Sequence, residues 1–227
     1  MKNTLEIACF DATHVKQIST TKADRIELCS NVNVGGVTPD YDDIILARKN
    51  TNLPLYIMIR PRGGNFIYSS NELELIKADI AFCKKNNSNG VVFGLLNENG
   101  NIDIENTAKF VEISKPLDIT FHRAFDVCSN PFKAIDDLIS LGIKRVLTSG
   151  QKATAVEGKF LLCDLIKYAN GRIEIMAGGG VNAENATELF DVGIRSFHAS
   201  AHKLLDEKMI CDEEKINAII NVISRVS

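Results

Sequence analysis

Two arginines close an apolar stretch of the sequence in a way that suits an anion. The run LYIMIR (55–60) ends on Arg60, Pro61 and Arg62, and two glycines follow. A planar guanidinium can hold a carboxylate or a phosphate through two parallel hydrogen bonds. We therefore expect Arg60 and Arg62 to bind a small anion where this run ends.

A glycine triplet later in the chain suits the same kind of ligand. Gly178, Gly179 and Gly180 follow a β-type run and precede a helix-type segment that begins with Asn182. Glycines allow backbone N–H groups to approach an oxyanion, and the following helix N-terminus favours negative charge. The alternative is that the three glycines only make a tight turn between strand and helix.

Eight short β-type runs alternate with helix-type segments, and these elements must position the candidate groups. The runs are TLEIAC (4–9), RIELC (25–29), LYIMIR (55–60), GVVFG (90–94), DITFH (118–122), KRVLTS (144–149), IEIMAG (173–178) and RSFHAS (195–200). Eight strands, each followed by a helix with a right-handed crossover, close most naturally into an α/β fold, a single (β/α)8 TIM barrel over residues 1–227. An open doubly wound sheet is the alternative, but its first strand would end in a glycine-rich turn, and this chain has FDATH there.

Helix-capping residues mark where several helices begin and end. Ser69 and Glu72 have the spacing of a capping box. Asn130 is placed to cap a helix whose first residue is Pro131 and which ends before Gly142. A further helix is predicted between 182 and 193.

Strand parity brings polar side chains to one end of the predicted barrel. The helix-facing side of each strand must be apolar, so the alternating polar side chains point inward. The inward set consists of Glu6, Glu27, Arg60, His122 and His198. Barrels of this class carry their chemistry at the C-terminal mouth, where these residues would converge.

These residue types divide into two chemical roles. His122 with Glu27 or Glu6 would transfer protons, because a carboxylate beside an imidazole gives an acid–base pair that works near neutral pH. Arg123 follows His122 directly and would join Arg60 in binding the anion. The alternative is structural: the inward arginines would only brace the barrel by pairing with the two glutamates.

Composition excludes several other classes of function. The formal net charge is −3 and the pI is near 5.9, so the chain lacks the basic character that nucleic-acid binding requires. No apolar run approaches the length of a membrane span, and no signal peptide is evident at the N-terminus, so we expect a cytoplasmic protein. Six cysteines without close CxxC pairs are typical of reduced thiols.

Two of the cysteines could bind Cu(I), which prefers thiolate ligands. Cys29 shares the inward face of its strand with Glu27, and Cys9 ends the neighbouring first strand. Because successive side chains of a strand point to opposite faces, Ala8 points inward with Glu6. Cys9 would then face outward, unless the strand has already ended there. Clustered Cys/His spacing is absent from the sequence, which argues against a structural zinc site.

At several places in order along the chain, the sequence resembles the CutC family. The resemblance rests on DRIELC (24–29), GGVTPD (35–40), IRPRGGNFIYS (59–69), GVVFGLL (90–96), ITFHRAFD (119–126), RVLTSGQ (145–151) and IMAGGGV (175–181). It implies a cytoplasmic, homo-oligomeric barrel named for copper homeostasis, with Cu(I) bound by cysteines at the ends of the first two strands. Cys29 matches one of those cysteines, whereas the other position holds Ala8, with Cys9 one residue later.

The sequence leaves two functions open. The first is the handling of Cu(I), which rests on the family resemblance and on Cys29. The second is an enzyme that acts on a small anionic metabolite, including a phosphorylated one, at the barrel mouth. Arginines and glycines suit oxyanions and repel cations, so elementary electrostatics favour the second.

Overall fold

The computed structural model describes residues 2–205 and 208–225 and contains a closed barrel of eight parallel strands. The strands are β1 Thr4–Cys9, β2 Arg25–Leu28, β3 Leu55–Met58, β4 Gly90–Phe93, β5 Asp118–Phe121, β6 Arg145–Thr148, β7 Glu174–Ala177 and β8 Ser196–Ala199. Each strand pairs with the next, and β1 pairs with β8 to close the sheet. The predicted (β/α)8 barrel is therefore confirmed.

Helices connect the strands on the outside of the barrel. They are α1 Val15–Ile18, α2 Tyr41–Asn50, α3 Ser70–Lys85, α4 Ile104–Ser114, α5 Pro131–Ser140, α6 Lys159–Ala169, α7 Ala186–Asp191 and α8 Glu213–Arg225. Short 3-10 turns lie at Ala12–His14, Val32–Val34 and Arg123–Val127. Among the described residues, no helix is both long enough and apolar enough to cross a bilayer.

The predicted helix starts are correct at two places and displaced at a third. Ser69 forms the capping box with Glu72, and the Asn130 side chain caps α5. The helix expected from residue 182 begins only at 186, because the Asn182 side chain accepts the N–H groups of Glu184 and Asn185 in a turn. No helix N-terminus therefore follows the glycine triplet directly.

The hydrophobic core lies between the barrel and its helices. Ile7, Ile26, Ile57, Phe93 and Phe121 face outward from five consecutive strands and are fully buried there. Burial of such side chains contributes about 1.5–3 kcal/mol each. Since the helix-facing positions are apolar, the polar residues that alternate with them are directed into the barrel.

A two-stranded antiparallel hairpin follows β8. It consists of β9 His202–Leu205 and β10 Lys208–Cys211, and Cys211 is paired with His202. The His202 ring packs on Phe10, with centroids 5.6 Å apart. The hairpin thus adjoins the end of β1.

Candidate functional site

A cavity of about 260 Å³ opens at the carboxyl ends of the strands. It brings together many of the residues that the sequence singled out. Its lining includes Ala8, Glu27, Cys29, Arg60, His122, Arg123, Gly179, Gly180, Val181 and His198. Arg62 is not part of this lining, and Glu6 lies beneath it in the barrel interior.

Arg60 reaches the cavity from the end of β3 and is 6% exposed. Its Nη1 donates to the carbonyl oxygens of Val34 and Gly36 at 2.8 and 3.0 Å, and its guanidinium lies over the Phe66 ring at 4.8 Å. Its Nε is buried without a hydrogen-bond partner among the described residues. Its Nη2 donates to the carbonyl oxygen of Gly64 at 3.0 Å. Among the described residues, no carboxylate lies within 4 Å of this guanidinium, so no ion pair neutralises its charge.

The alternative in which Arg60 braces the glutamates is therefore incorrect. Arg25 has that role instead: its Nε donates to Glu6 Oε2 at 2.6 Å, and its Nη2 to Glu174 Oε1 at 3.1 Å. Arg145 forms an ion pair with the same Glu174 at 2.9 Å. Sequence reasoning missed this network, because the pairing of Arg25 with Glu6 depends on the β1–β2 register, which only the structure shows.

Arg62 points away from the cavity, which corrects the expectation that it binds the anion beside Arg60. Its Nε donates to Glu72 Oε1, and its other nitrogens donate to carbonyl oxygens of the same loop, including those of Asn65 and Ile67. The guanidinium also lies over Tyr68. Arg62 thus fastens the loop after β3 to the first turn of α3.

Arg123 spans from the end of β5 toward the loop after β7. Its Nε donates to Asp126 Oδ2 at 2.7 Å and its Nη2 to Ser149 Oγ at 2.7 Å. A Cβ built on Gly179 would lie only 3.3 Å from Nη1, so this nitrogen borders the glycine loop. Asp126 is itself fixed by the N–H groups of Ser149 and Gln151. The guanidinium is therefore held in place at the cavity wall.

The glycine triplet combines packing with open backbone donors. The N–H of Gly178 completes the sheet by donating to Thr148, and a Cβ here would come within 2.4 Å of Leu147 Cδ1. Gly179 and Gly180 have φ of +98° and +77°, which side chains rarely tolerate. In the described part of the chain, the N–H groups of Gly179, Gly180 and Val181 have no acceptor. These three donors border the cavity.

Next to the glycine loop, two glutamates flank His198. Glu6, Glu27 and His198 come from β1, β2 and β8, which are neighbours in the closed sheet. His198 Nδ1 lies 2.9 Å from Glu6 Oε1, and Nε2 lies 3.6 Å from Glu27 Oε2. One ligand atom from each of the three residues lies within 4.8 Å of the others.

Burial and charge shift the pKa of all three groups. Burial alone would raise the pKa of Glu6, but Arg25 and His198 lower it well below its usual range. Burial raises the pKa of Glu27 to about 7. Burial opposes a charged ring at His198, but Glu27 and Glu6 outweigh it and raise the pKa of His198.

His122 is not the imidazole beside the carboxylates, which corrects the expected pairing with Glu27 or Glu6. Its Nδ1 accepts the N–H of Ala124 at 3.1 Å, so the ring proton belongs on Nε2. Burial, and then the charge of Arg60, lower the pKa of His122 to about 3. The ring is therefore neutral at physiological pH, and the imidazole between the glutamates is His198.

The two candidate copper thiols lie on opposite faces of the sheet. Cys29 lines the cavity, with Sγ 3.4 Å from Glu27 Oε2, and burial followed by Glu27 raises its pKa well above the usual value. β1 includes Cys9, which is in register with Leu28 and packs among the helices. β1 therefore does not end before Cys9. The two backbones meet, since the N–H of Cys29 donates to the carbonyl oxygen of Cys9 at 2.9 Å, but the two sulfurs lie on opposite faces of the sheet.

Comparisons with known proteins agree with the family resemblance. The sequence model of the CutC family matches residues 3–203. A "family protein CutC" of Parabacteroides distasonis is 40% identical over 226 residues, which are 99% of this chain and 93% of that protein. The "Copper homeostasis protein cutC homolog" of Homo sapiens is 44% identical over 188 residues, which are 82% of this chain and 69% of that protein.

Solved structures show the same architecture. The CutC structure from Streptococcus agalactiae has a TM-score of 0.83 at 35% identity and covers 87% of this chain and 98% of its own. The 3-keto-L-gulonate-6-phosphate decarboxylase of Vibrio cholerae has a TM-score of 0.67 at 13% identity, with both chains covered in full (100%). The second likeness is one of fold alone.

Proposed function

The chain belongs to the CutC family, and we propose that it binds a small anionic metabolite, phosphorylated or carboxylated, at the barrel mouth and acts on it as an enzyme. The observation that carries this proposal is the character of one cavity wall. Arg60 has no carboxylate partner there, Arg123 is fixed by Asp126, and three backbone N–H groups are open in the loop after β7. Such an arrangement attracts an oxyanion.

The anion would be held by several kinds of donor. The N–H groups of Gly179 and Gly180 offer short, rigid hydrogen bonds, and the neighbouring Arg123 supplies charge. Arg60 supplies a second charge from the end of β3, where its guanidinium lies over the Phe66 ring. An anion bound there would direct the rest of the ligand toward the wall that carries Glu27 and His198, which line the same cavity.

Calorimetric titration with inorganic phosphate and pyrophosphate, in the presence of a chelator, tests the proposal. We expect saturable binding of at least one of these anions to the native protein. Arg123→Gln should weaken it by about tenfold or more, since a charge-assisted hydrogen bond contributes about 1.5–3 kcal/mol. Arg172→Gln, at an exposed arginine between α6 and β7, is the matched control and should bind as the native protein does. Equal affinity of the native and Arg123→Gln proteins would overturn the proposal.

Cu(I) binding is a second candidate function, and one observation favours it. The human relative is named for copper homeostasis, and Cys29 places a sulfur in the cavity beside Glu27. A thiol and an imidazole are ligands that Cu(I) accepts. Because Cys9 faces the helices, the copper would depend on Cys29 without a second thiolate from β1. A cytoplasmic location and a homo-oligomeric assembly remain predictions from the family resemblance.

A further inference from the structure

His198 and Glu27 face each other across a gap that no direct hydrogen bond closes and that, among the described residues, no lysine or arginine enters. Nε2 of His198 and Oε2 of Glu27 are 3.6 Å apart, which is too long for a direct hydrogen bond. The second oxygen of Glu27, Oε1, is buried and has no partner in the described part of the chain. Glu27 is only 2% exposed, so this unpaired carboxylate oxygen is an unusual feature.

Glu6 determines which nitrogen of His198 faces the gap. Its Oε1 is 2.9 Å from Nδ1, and its other oxygen is held by Arg25, so the Glu6 carboxylate is charge-compensated and acts as an acceptor. Nδ1 then carries a ring proton and Nε2 points toward Glu27, so a cation bound there would take the place of a proton on Nε2. In metal sites, the ligating histidine commonly donates the N–H of its other ring nitrogen to a carboxylate, which fixes the orientation of the ring.

Glu27 also lacks a lysine or arginine partner. In the described part of the chain, no Lys or Arg nitrogen lies within 4 Å of this carboxylate, whereas Glu6 has Arg25 and Glu174 has both Arg25 and Arg145. The charge of Glu27 is balanced only when the His198 ring is protonated, and a buried carboxylate that relies on one buried imidazole is costly. A bound cation would remove that cost.

From this geometry we propose that His198 Nε2 and Glu27 bind a divalent cation, with Glu6 as the positioning residue for His198. Bonds of about 2.0–2.2 Å to each atom would span the 3.6 Å gap at an angle of about 110–130°, near the tetrahedral value. One imidazole and one carboxylate suit divalent ions of the Mn²⁺, Fe²⁺, Co²⁺ and Zn²⁺ type, and are a poor set for Cu(I).

The remaining coordination positions would open into the cavity. Since Glu27 and His198 both line it, water or an oxygen of the ligand could complete the coordination. The proposal extends the proposed function, because the cation would lie in the same cavity as the anion-binding groups, on the strands next to the glycine loop. It does not depend on that function, since a cation can bind without the anion.

Binding of Mn²⁺ alone, measured by loss of the electron paramagnetic resonance signal of the free ion, tests the site. Mn²⁺ is chosen because thiols bind it weakly, so the cysteines do not interfere. We expect one saturable site in the chelator-treated native protein. Glu27→Gln and His198→Gln should each lower the affinity by about tenfold or more, a loss of the size seen when metal-site residues are replaced. Glu98→Gln, at an exposed glutamate after β4, should bind as the native protein does.

Absence of saturable binding to the native protein, or unchanged affinity in Glu27→Gln, would overturn the metal site. If Glu27→Gln fails to fold, Glu27→Asp replaces it; this variant keeps the charge but withdraws the ligand by one methylene, and is also expected to bind more weakly. The Mn²⁺ titration contains no phosphate or pyrophosphate, and the phosphate titration contains a chelator that removes metal ions. Failure of the metal site and failure of the anion site are therefore separate results.

Discussion

Glu6 contacts His198 at 2.9 Å through Nδ1, and this contact orients the other ring nitrogen toward Glu27. The two residues are direct neighbours in the β1–β8 register. Arg25 holds the second oxygen of Glu6 from the adjacent strand. The polar interior of the barrel is thus continuous with the cavity. Glu6, which pairs with Arg25 inside the barrel, also orients His198 in the candidate site.

Replacing Arg25 with Met should destabilise the protein strongly. The substitution leaves Glu6, which is fully buried, without its main cationic partner. Loss of one partner of a buried pair costs about 3–5 kcal/mol. Urea unfolding measures the change, and Lys109→Met, which removes an exposed i,i+4 pair with Glu105, should have little effect. Equal losses in the two variants would show that the Arg25 network is not structural.

Replacing Arg62 with Ala should have a small effect on stability and none on anion binding. Its pair with Glu72 is partly exposed, and such pairs contribute little to stability, so the melting temperature should fall by no more than about 4 °C for a chain of this size. Thermal unfolding and pyrophosphate titration of the variant check both parts. A large drop in melting temperature would mean that the loop after β3 supports the barrel more than its contacts indicate.

The ring of His122 should remain neutral from pH 8 down to pH 5. Its pKa is lowered to about 3, below the value of 6.5 in the unfolded chain. Between these two values the unfolded state binds a proton that the folded state does not, so His122 costs the protein stability as the pH falls through this range. The carbon-bound proton signals of the ring, assigned with a His122→Asn variant, should not shift between pH 8 and pH 5. A titration midpoint near 6 would contradict the neutral ring.

Cu(I) binding should depend on Cys29 and not on Cys9. The Cys29 sulfur lies in the cavity, whereas Cys9 donates to the carbonyl oxygen of Asp11 on the helix side of β1. An anaerobic competition titration of reduced Cys29→Ser, Cys9→Ser and Cys163→Ser proteins separates these sites, and Cys163 on α6 serves as the control. Equal losses in the Cys29 and Cys9 variants would mean that β1 rearranges to form a two-thiolate site.

The sequence was enough to predict the barrel and the inward face of its strands. The fold follows from eight β-type runs separated by helix signals, and parity alone places Glu27, Arg60, His122 and His198 around one cavity. These inferences depend on local periodicity, which the sequence displays directly.

The partner of each charged group could not be predicted, because it depends on strand register and on side-chain reach. Glu6 is paired with Arg25 rather than Arg60, since β1 and β2 are adjacent in the sheet. Arg62 was expected at the mouth, but Glu72 at the start of α3 binds it. These contacts between neighbouring elements have no signature in local spacing.

The central claim is that the loop after β7 binds an anion, and amide chemical shifts test it most directly. Pyrophosphate is added to the ¹⁵N-labelled, chelator-treated protein. The account predicts that the amide signals of Gly179, Gly180 and Val181 and the Nε–H signal of Arg123 shift together and saturate at one Kd, while that of Gly142, in the turn between α5 and β6, does not move. Unchanged glycine signals at millimolar pyrophosphate, or shifts spread over the outer helices instead, would contradict it.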